Sequence, residues 1–503
     1  MSVPKGEQPL ALRTKVAFGL GTMAETISLA AIGSYAMFYY NQVLGLSATL
    51  AGLAITLGIV LDGVVDPFIG SLSDRTHSRL GRRHLYMFIA PIPVAISLFA
   101  VFHPPSTLSG VWLFAWFLAF VISMRVASSI YHVPHLAVGA ELSSDFTERT
   151  KVMSYSNLAG AIGTAGTGFV SLTFFFAATP EYPRGLLNPA GYGAFAMTAA
   201  AIVLIIQFTS AWFTRDRIAL MTPPAAGQPK FTGLEFLKDV GRAFSNRNYL
   251  FLLIAVFFFS LLVSLRAGLS LYLNTYFWGL VSEQIRWFSL ATFTGYLFSF
   301  FITARIHHRF GKRYAMATCA VLYGVIPGIP ISLGLLGVMP GADSPFLMPI
   351  LCVSTGLGAS IGGVIAITAL SAIGDIADEN ELRYGIRQEG VLYSTRTVFS
   401  KIDSAIGQLF VGIMLDVMNF PKGAKPESID PNSLWNLGLV DGPLAIIPGI
   451  IAAFFYGRYA IDRRRYTETR RQLEAARIER KAPAPPPTMP PDLSQEAEVT
   501  LAT

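Results

Sequence analysis

The sequence predicts an all-α membrane protein of twelve transmembrane helices in two pseudo-symmetric halves of six. Three observations support this. Of the 503 residues, 52% are hydrophobic and only 14% charged, with a mean hydropathy of +0.51; a soluble domain carries about 25% charged residues. Apolar runs long enough to span a bilayer as helices recur along the chain, which excludes a β-barrel. The basic residues are asymmetrically placed. With the N-terminus inside, 30 of the 38 Lys and Arg fall in the N-terminal segment, the inner loops and the tail. Only Arg184, Arg286, Lys422 and Lys425 fall outside, while Arg125, Arg266, Arg396 and Lys401 lie within spans. Such a bias predicts cytoplasmic termini, an even number of spans, and a plasma or inner membrane location. The net charge of +7 follows from this asymmetry and implies no nucleic-acid partner.

Taken in order, residues 1–15 are polar and basic, and a full-length span without a cleavage site follows. The start therefore reads as an uncleaved anchor. Spans at 16–40, 47–73, 85–103, 111–139, 152–178 and 191–214 complete a first half, residues 1–214. The linker, 215–248, holds a Pro/Gly-rich stretch and then alternating apolar and charged residues, which predict a short amphipathic helix on the inner surface. Spans at 249–278, 285–304, 314–337, 346–373, 391–418 and 443–460 form the second half, 249–461. In-line Gly and Pro imply tilts and kinks, not extra helices. The tail, 462–503, divides into an Arg/Glu-rich helical stretch and a Pro-rich segment expected to be disordered. Cys319 and Cys352 fall inside spans, so neither a disulfide framework nor a Cys/His metal cluster is available.

The halves echo each other. Arg79–Arg83 (RLGRR) has a counterpart 230 residues on in Arg309–Arg313 (RFGKR), and the same offset pairs Asp145 with Asp375. Parallel six-helix repeats predict a transporter with its solute site between the halves near the midplane.

Within span 2, Asp62 and Asp66 lie one helical turn apart on one face. A carboxylate at mid-membrane is costly and must face protein or water. Two like charges so close are relieved by a shared cation or proton, which marks a cation seat. The alternative is simple pairing with a basic residue elsewhere. The offset maps the two aspartates onto Thr292 and Tyr296, so the pair belongs to one half only. Asp66 precedes Pro67, which biases it away from helical geometry and predicts a kink exposing backbone carbonyls. Lys401, mid-span in the second half, must find an acid and points to these two. Arg396 and Asp403 are i,i+7 on another face of the same span and read as a packing ion pair. Asp74, Arg75, Arg79, Arg82 and Arg83 at the inner end of span 2, with Asp145, Arg149 and Asp375, can form a charge latch made in one conformation and broken in another. Positive-inside anchoring is the simpler role.

The segment from Asp62 to His84 (DGVVDPFIGSLSDRTHSRLGRRH) resembles the span-2 hallmark of the glycoside–pentoside–hexuronide:cation symporters of the major facilitator superfamily. Glu141–Thr150 (ELSSDFTERT), Arg387–Gly390 (RQEG) and Thr397–Lys401 (TVFSK) extend the likeness, which runs from Phe18 to about Asp416. The resemblance implies a twelve-helix major facilitator fold and alternating access. It places Na⁺, Li⁺ or H⁺ at Asp62 and Asp66, with Ser129 and Lys401 beside them. It puts substrate contacts at Thr26, His132 and Asn157 in place of a charged sugar-binding trio, with Arg396 and Thr397 as further candidates. The stretch Tyr131–Pro134 (YHVP) resembles the sodium-dependent lysophosphatidylcholine symporters of the same superfamily. The expectation is a monomeric symporter of a sugar, glycoside or uronate with a monovalent cation, and no cofactor; an amphipathic cargo is the second reading. A non-transporting sensor would need a folded output domain that the tail lacks, and an enzyme would need a nucleophile–base constellation that does not stand out.

Overall fold

The computed structural model describes residues 10–143, 145–220, 246–384, 389–423 and 428–481, with Gly241 and Phe244 between them. Eleven described helices are long and apolar enough to cross a membrane. One of them is two spans: Ser282–Leu335 turns at Gly311, whose φ of 73° is left-handed and suits a residue without Cβ. The spans are α1 (Leu12–Val43), α2 (Ala48–Arg75), α3 (His84–Phe102), α4 (Gly110–Glu141), α5 (Thr147–Phe175), α6 (Pro189–Ile218) and α7 (Arg247–Phe277). The arms of Ser282–Leu335, residues 282–310 and 312–335, are α8 and α9; α10 (Leu347–Arg383), α11 (Glu389–Val417) and α12 (Pro431–Arg458) follow. A surface helix, α13 (Arg463–Lys481), ends the described chain.

Three features correct the sequence reading, the first being that α10 runs to Arg383, ten residues past the expected end at 373. The last span starts at Pro431 rather than near 443, because Asp441 interrupts the apolar run yet is buried against Arg266 at 3.5 Å. In α2 the helix continues through Pro67, so Asp66 stays helical. The proline still lacks an N–H, which leaves the carbonyl of Gly63 without its helical donor. Most of the expected linker helix, Arg387, Gln388 and everything beyond Lys481 lie outside the described residues.

Within the first half α1 packs on α5 and α6, α2 on α4, and α3 on α4 and α6; in the second, α7 packs on α11 and α12, and α8 on α10. Between halves, α2 meets α11 and α5 meets α8. The side where Leu12 and Arg458 lie is here the terminal face, and the opposite side the far face. The apolar core is organised by this division. One cluster unites both halves toward the far face, including Phe38, Tyr40, Tyr272, Tyr276 and Phe420. Toward the terminal face the core splits into separate clusters, one per half. Hydrogen bonding follows the same rule: Tyr276 donates to Gln42 at 2.8 Å, Tyr272 to Asn41 at 3.1 Å, and Arg184 to the Thr275 carbonyl at 2.6 Å, all on the far side. Among the described residues, no hydrogen bond or ion pair joins the halves closer to the terminal face than Asp66–Lys401. Among the described residues, the cleft between the halves is therefore bridged from Asp66–Lys401 to the far face.

Candidate cation and solute site

At mid-depth the structure brings Asp62, Asp66, Arg125, Ser129, His132, Lys401 and Glu25 into one charged cluster. Asp62 and Asp66 share a face of α2. Asp62 is buried and accepts from Arg125 of α4 at 3.1 Å and, more weakly, from the Ser129 hydroxyl at 3.5 Å. Gly58 makes this approach possible: a Cβ there would stand 2.8 Å from Val121 and 3.3 Å from the Arg125 stem. Asp66 accepts from the Lys401 ammonium of α11 at 2.5 Å, the one ion pair described between the halves; its two side chains are 25% and 23% exposed. Mid-membrane placement demands such partners, since an unpaired charge there is expensive.

This alters one premise of the sequence reading, which assigned the aspartates one counter-charge. They have two, because Arg125 sits one helix away in the same half. The formal charges of Asp62, Asp66, Arg125 and Lys401 sum to zero, so each carboxylate has its own internal counter-charge. Lys401 is the more exposed partner, 23% against 15% for Arg125, and comes from the opposite half on a long unbranched stem. The oxygens gathered there, from Asp62, Asp66 and Ser129, are hard donors, of the kind that would suit a hard cation better than a softer metal. Among the described residues no group of three or more His, Cys, Asp or Glu side chains forms a metal site.

The first-half wall of the cleft is completed by His132, whose Nδ1 lies 2.8 Å from Glu25 of α1. His132 is 38% and Glu25 15% exposed. Glu25 was missed by the sequence reading, which placed Thr26 in this role. Thr26 instead donates to the Met23 carbonyl at 3.0 Å and packs on Gly160 and Gly163 of α5. The available signal was an acid within an apolar span, the criterion that identified Asp62. Asn157 is exposed and lies eleven residues, about three turns, before Gly168, which touches Ser289 of α8; it therefore lies on the α5 stripe facing the second half.

On α11, Thr397 is one turn from Lys401, exposed, and bonded to the Tyr393 carbonyl at 3.0 Å. Arg396 is on the side of α11 facing α7, 3.6 Å from Asp403, which accepts from Ser260 of α7 at 3.3 Å. That geometry takes Arg396 out of the cluster and leaves it the packing pair. Arg266 is likewise committed, to Asp441 and to the Gly324 carbonyl at 2.7 Å.

Latch residues gather at the terminal face. Arg83 bonds Asp74 at 3.0 Å and Glu141 at 2.9 Å, and Arg82 bonds Glu141 at 2.5 Å. In the second half Lys312 bonds Asp375 at 2.6 Å. Asp375 thus corresponds in bonding to Glu141, not to Asp145 as the uniform offset implied. Asp145 caps α5, accepting from the Glu148 N–H at 2.7 Å. Arg149 reaches the Ser143 carbonyl at 3.4 Å, while Arg75 and Arg79 are exposed, with no ion pair among the described residues.

The protein-family comparison matches the "MFS/sugar transport protein" family over residues 17–463. An uncharacterised symporter of Synechocystis sp. is 27% identical over 94% of this chain and 99% of its own. The isoprimeverose transporter of Lactiplantibacillus pentosus is 24% identical over 84% of each chain. A sodium-dependent lysophosphatidylcholine symporter of Danio rerio is 22% identical over 94% of this chain and 91% of its own. In fold, the crystal structure of a D-xylose–proton symporter superposes with a TM-score of 0.58 at 13% identity, over 90% of this chain and 98% of that one. With a charged mid-membrane cluster between two six-helix halves, the chain belongs to the MFS/sugar transport protein family and has the major facilitator fold.

Proposed function

We propose that the chain is a secondary active symporter that moves a small solute, a sugar, glycoside or uronate, together with Na⁺ or H⁺ by alternating access. The observation that carries this is the Asp66–Lys401 pair, which ties the halves together beside the Asp62–Arg125 pair. A cation binding between Asp62 and Asp66 takes the place of the Lys401 ammonium and releases a bond between halves, so its occupancy is read out as their relative position. Solute held in the cleft by Glu25, His132, Asn157 and Thr397 gains affinity when the cation is bound, and by linkage raises cation affinity equally. The terminal face is cytoplasmic in this reading, on the basic-residue bias. The protein acts as a monomer and performs no catalysis.

A second reading, an amphipathic cargo, is supported by the lysophosphatidylcholine relative. Uptake into proteoliposomes against a panel of xylosides, galactosides, uronates and lysophosphatidylcholine, with and without a Na⁺ or pH gradient, separates the readings. The proposal expects gradient-driven accumulation of a glycoside or uronate. Accumulation of the lysolipid alone would select the second reading, and no accumulation of any solute under either gradient would contradict both.

A further inference from the structure

The first N–H groups of α2 lack intrahelical acceptors, as at any helix start. Here the cap comes from the other half. Asp416 near the end of α11 accepts from the Thr49 N–H at 2.9 Å, the Ala48 N–H at 3.3 Å and the Ser47 hydroxyl. Its carboxylate also faces the positive end of the α2 dipole. From this rim the two helices run together inward. Thr49 donates to the Gly412 carbonyl at 3.4 Å and Thr56 to the Ala405 carbonyl at 2.8 Å. A Cβ at Gly412 would fall 2.3 Å from the Ala48 carbonyl, and one at Gly52 2.8 Å from that of Gln408. The seam ends at Asp66–Lys401.

We infer that Asp416 is the far-face gate of the transport cycle, a positioning residue whose trans cap on α2 holds the far side closed. The seam must part for the far side to open, and Asp416 stands at the rim where parting begins. The energetics suit a gate: on opening, water replaces the bonds to Asp416 and to the helix start, so breaking them costs a modest net amount and shifts a population without locking it. The second half closes its equivalent rim with the polarity reversed. There Glu283, in the first turn of α8, accepts from the Ala178 N–H of the first half at 2.8 Å.

The inference rests on alternating access but not on the identity of cation or cargo. Its test uses neither. The full-length chain, with Cys319→Ala and Cys352→Ser, carries spin labels at Ser106→Cys and Asp343→Cys, exposed turns on the far face of opposite halves. Distances are measured by pulsed electron resonance in lipid nanodiscs. Asp416→Asn should raise the ratio of long to short distances at least about threefold, Ser47→Ala should shift it the same way by less, and Asp416→Glu should restore it. A purely structural cap would lower the melting temperature of Asp416→Asn and leave the distribution alone. Wild-type distributions in both Asp416→Asn and Ser47→Ala would overturn the inference while leaving the cation site standing.

Discussion

In the first half α2 carries Asp62 and Asp66 at mid-span, whereas α8, its counterpart in the second, carries Thr292 and Tyr296 at the positions 230 residues on. Aligning the helices by their starts, Ala48 and Ser282, brings Tyr296 and Phe300 to those places, so neither register supplies a carboxylate. At the terminal face the halves agree: Glu141 holds Arg82 and Arg83 in one, and Asp375 holds Lys312 in the other. What each six-helix unit requires to fold and pivot appears twice. What the cycle requires once appears once, and the second half contributes to it the ammonium of Lys401.

That contrast can be broken at several points. The largest effect is expected at its centre: Asp66→Asn or Lys401→Met should lower gradient-driven accumulation at least about tenfold, within the range of site-to-site coupling energies. Adding Tyr296→Asp, 230 residues on from Asp66, to Asp66→Asn should restore nothing, because Lys401 is directed at α2; recovery of accumulation would show the halves to be interchangeable. Next are the two latches, where Glu141→Gln and Asp375→Asn should each cost about 1–3 kcal/mol of stability. A fluorescent thermal melt checks this, with the larger loss at Glu141, which serves two arginines. Arg266→Met should lower the melting temperature while leaving the dependence of uptake on the cation gradient unchanged, since its partner Asp441 lies within the second half. Ser129→Ala should be the mildest, changing cation dependence by less than about threefold, as its 3.5 Å contact is at the limit of a hydrogen bond.

The fold was legible because bilayer thickness and backbone satisfaction leave few options. Most predicted spans match observed ones to within a few residues; the exceptions are the end of α10, which runs to Arg383 rather than 373, and the start of α12, which fails where Asp441 breaks the apolar run. The charged mid-membrane cluster was half legible. The cost of an isolated mid-membrane charge linked Lys401 to span 2, but the same argument applied to Arg125 would have supplied the second counter-charge, and applied to Glu25 would have found the partner of His132. The choice between Thr26 and Glu25, and between the two readings of Arg396, was not legible for a different reason: which face of a helix meets the cleft depends on packing between helices, and spacing along one span does not contain it. The Asp145–Asp375 pairing failed because the repeat slips by four residues between the arginine loops and the acids that bind them.

The assignment of Asp62 and Asp66 as the coupling site is decided by cation-gradient-driven solute accumulation in proteoliposomes of the Asp62→Asn and Asp66→Asn variants, using the solute the panel identifies and comparing it with exchange of that solute at equal concentrations. Accumulation against a gradient should be lost in both variants while exchange persists in at least one. Full gradient-driven accumulation by both variants would contradict the assignment.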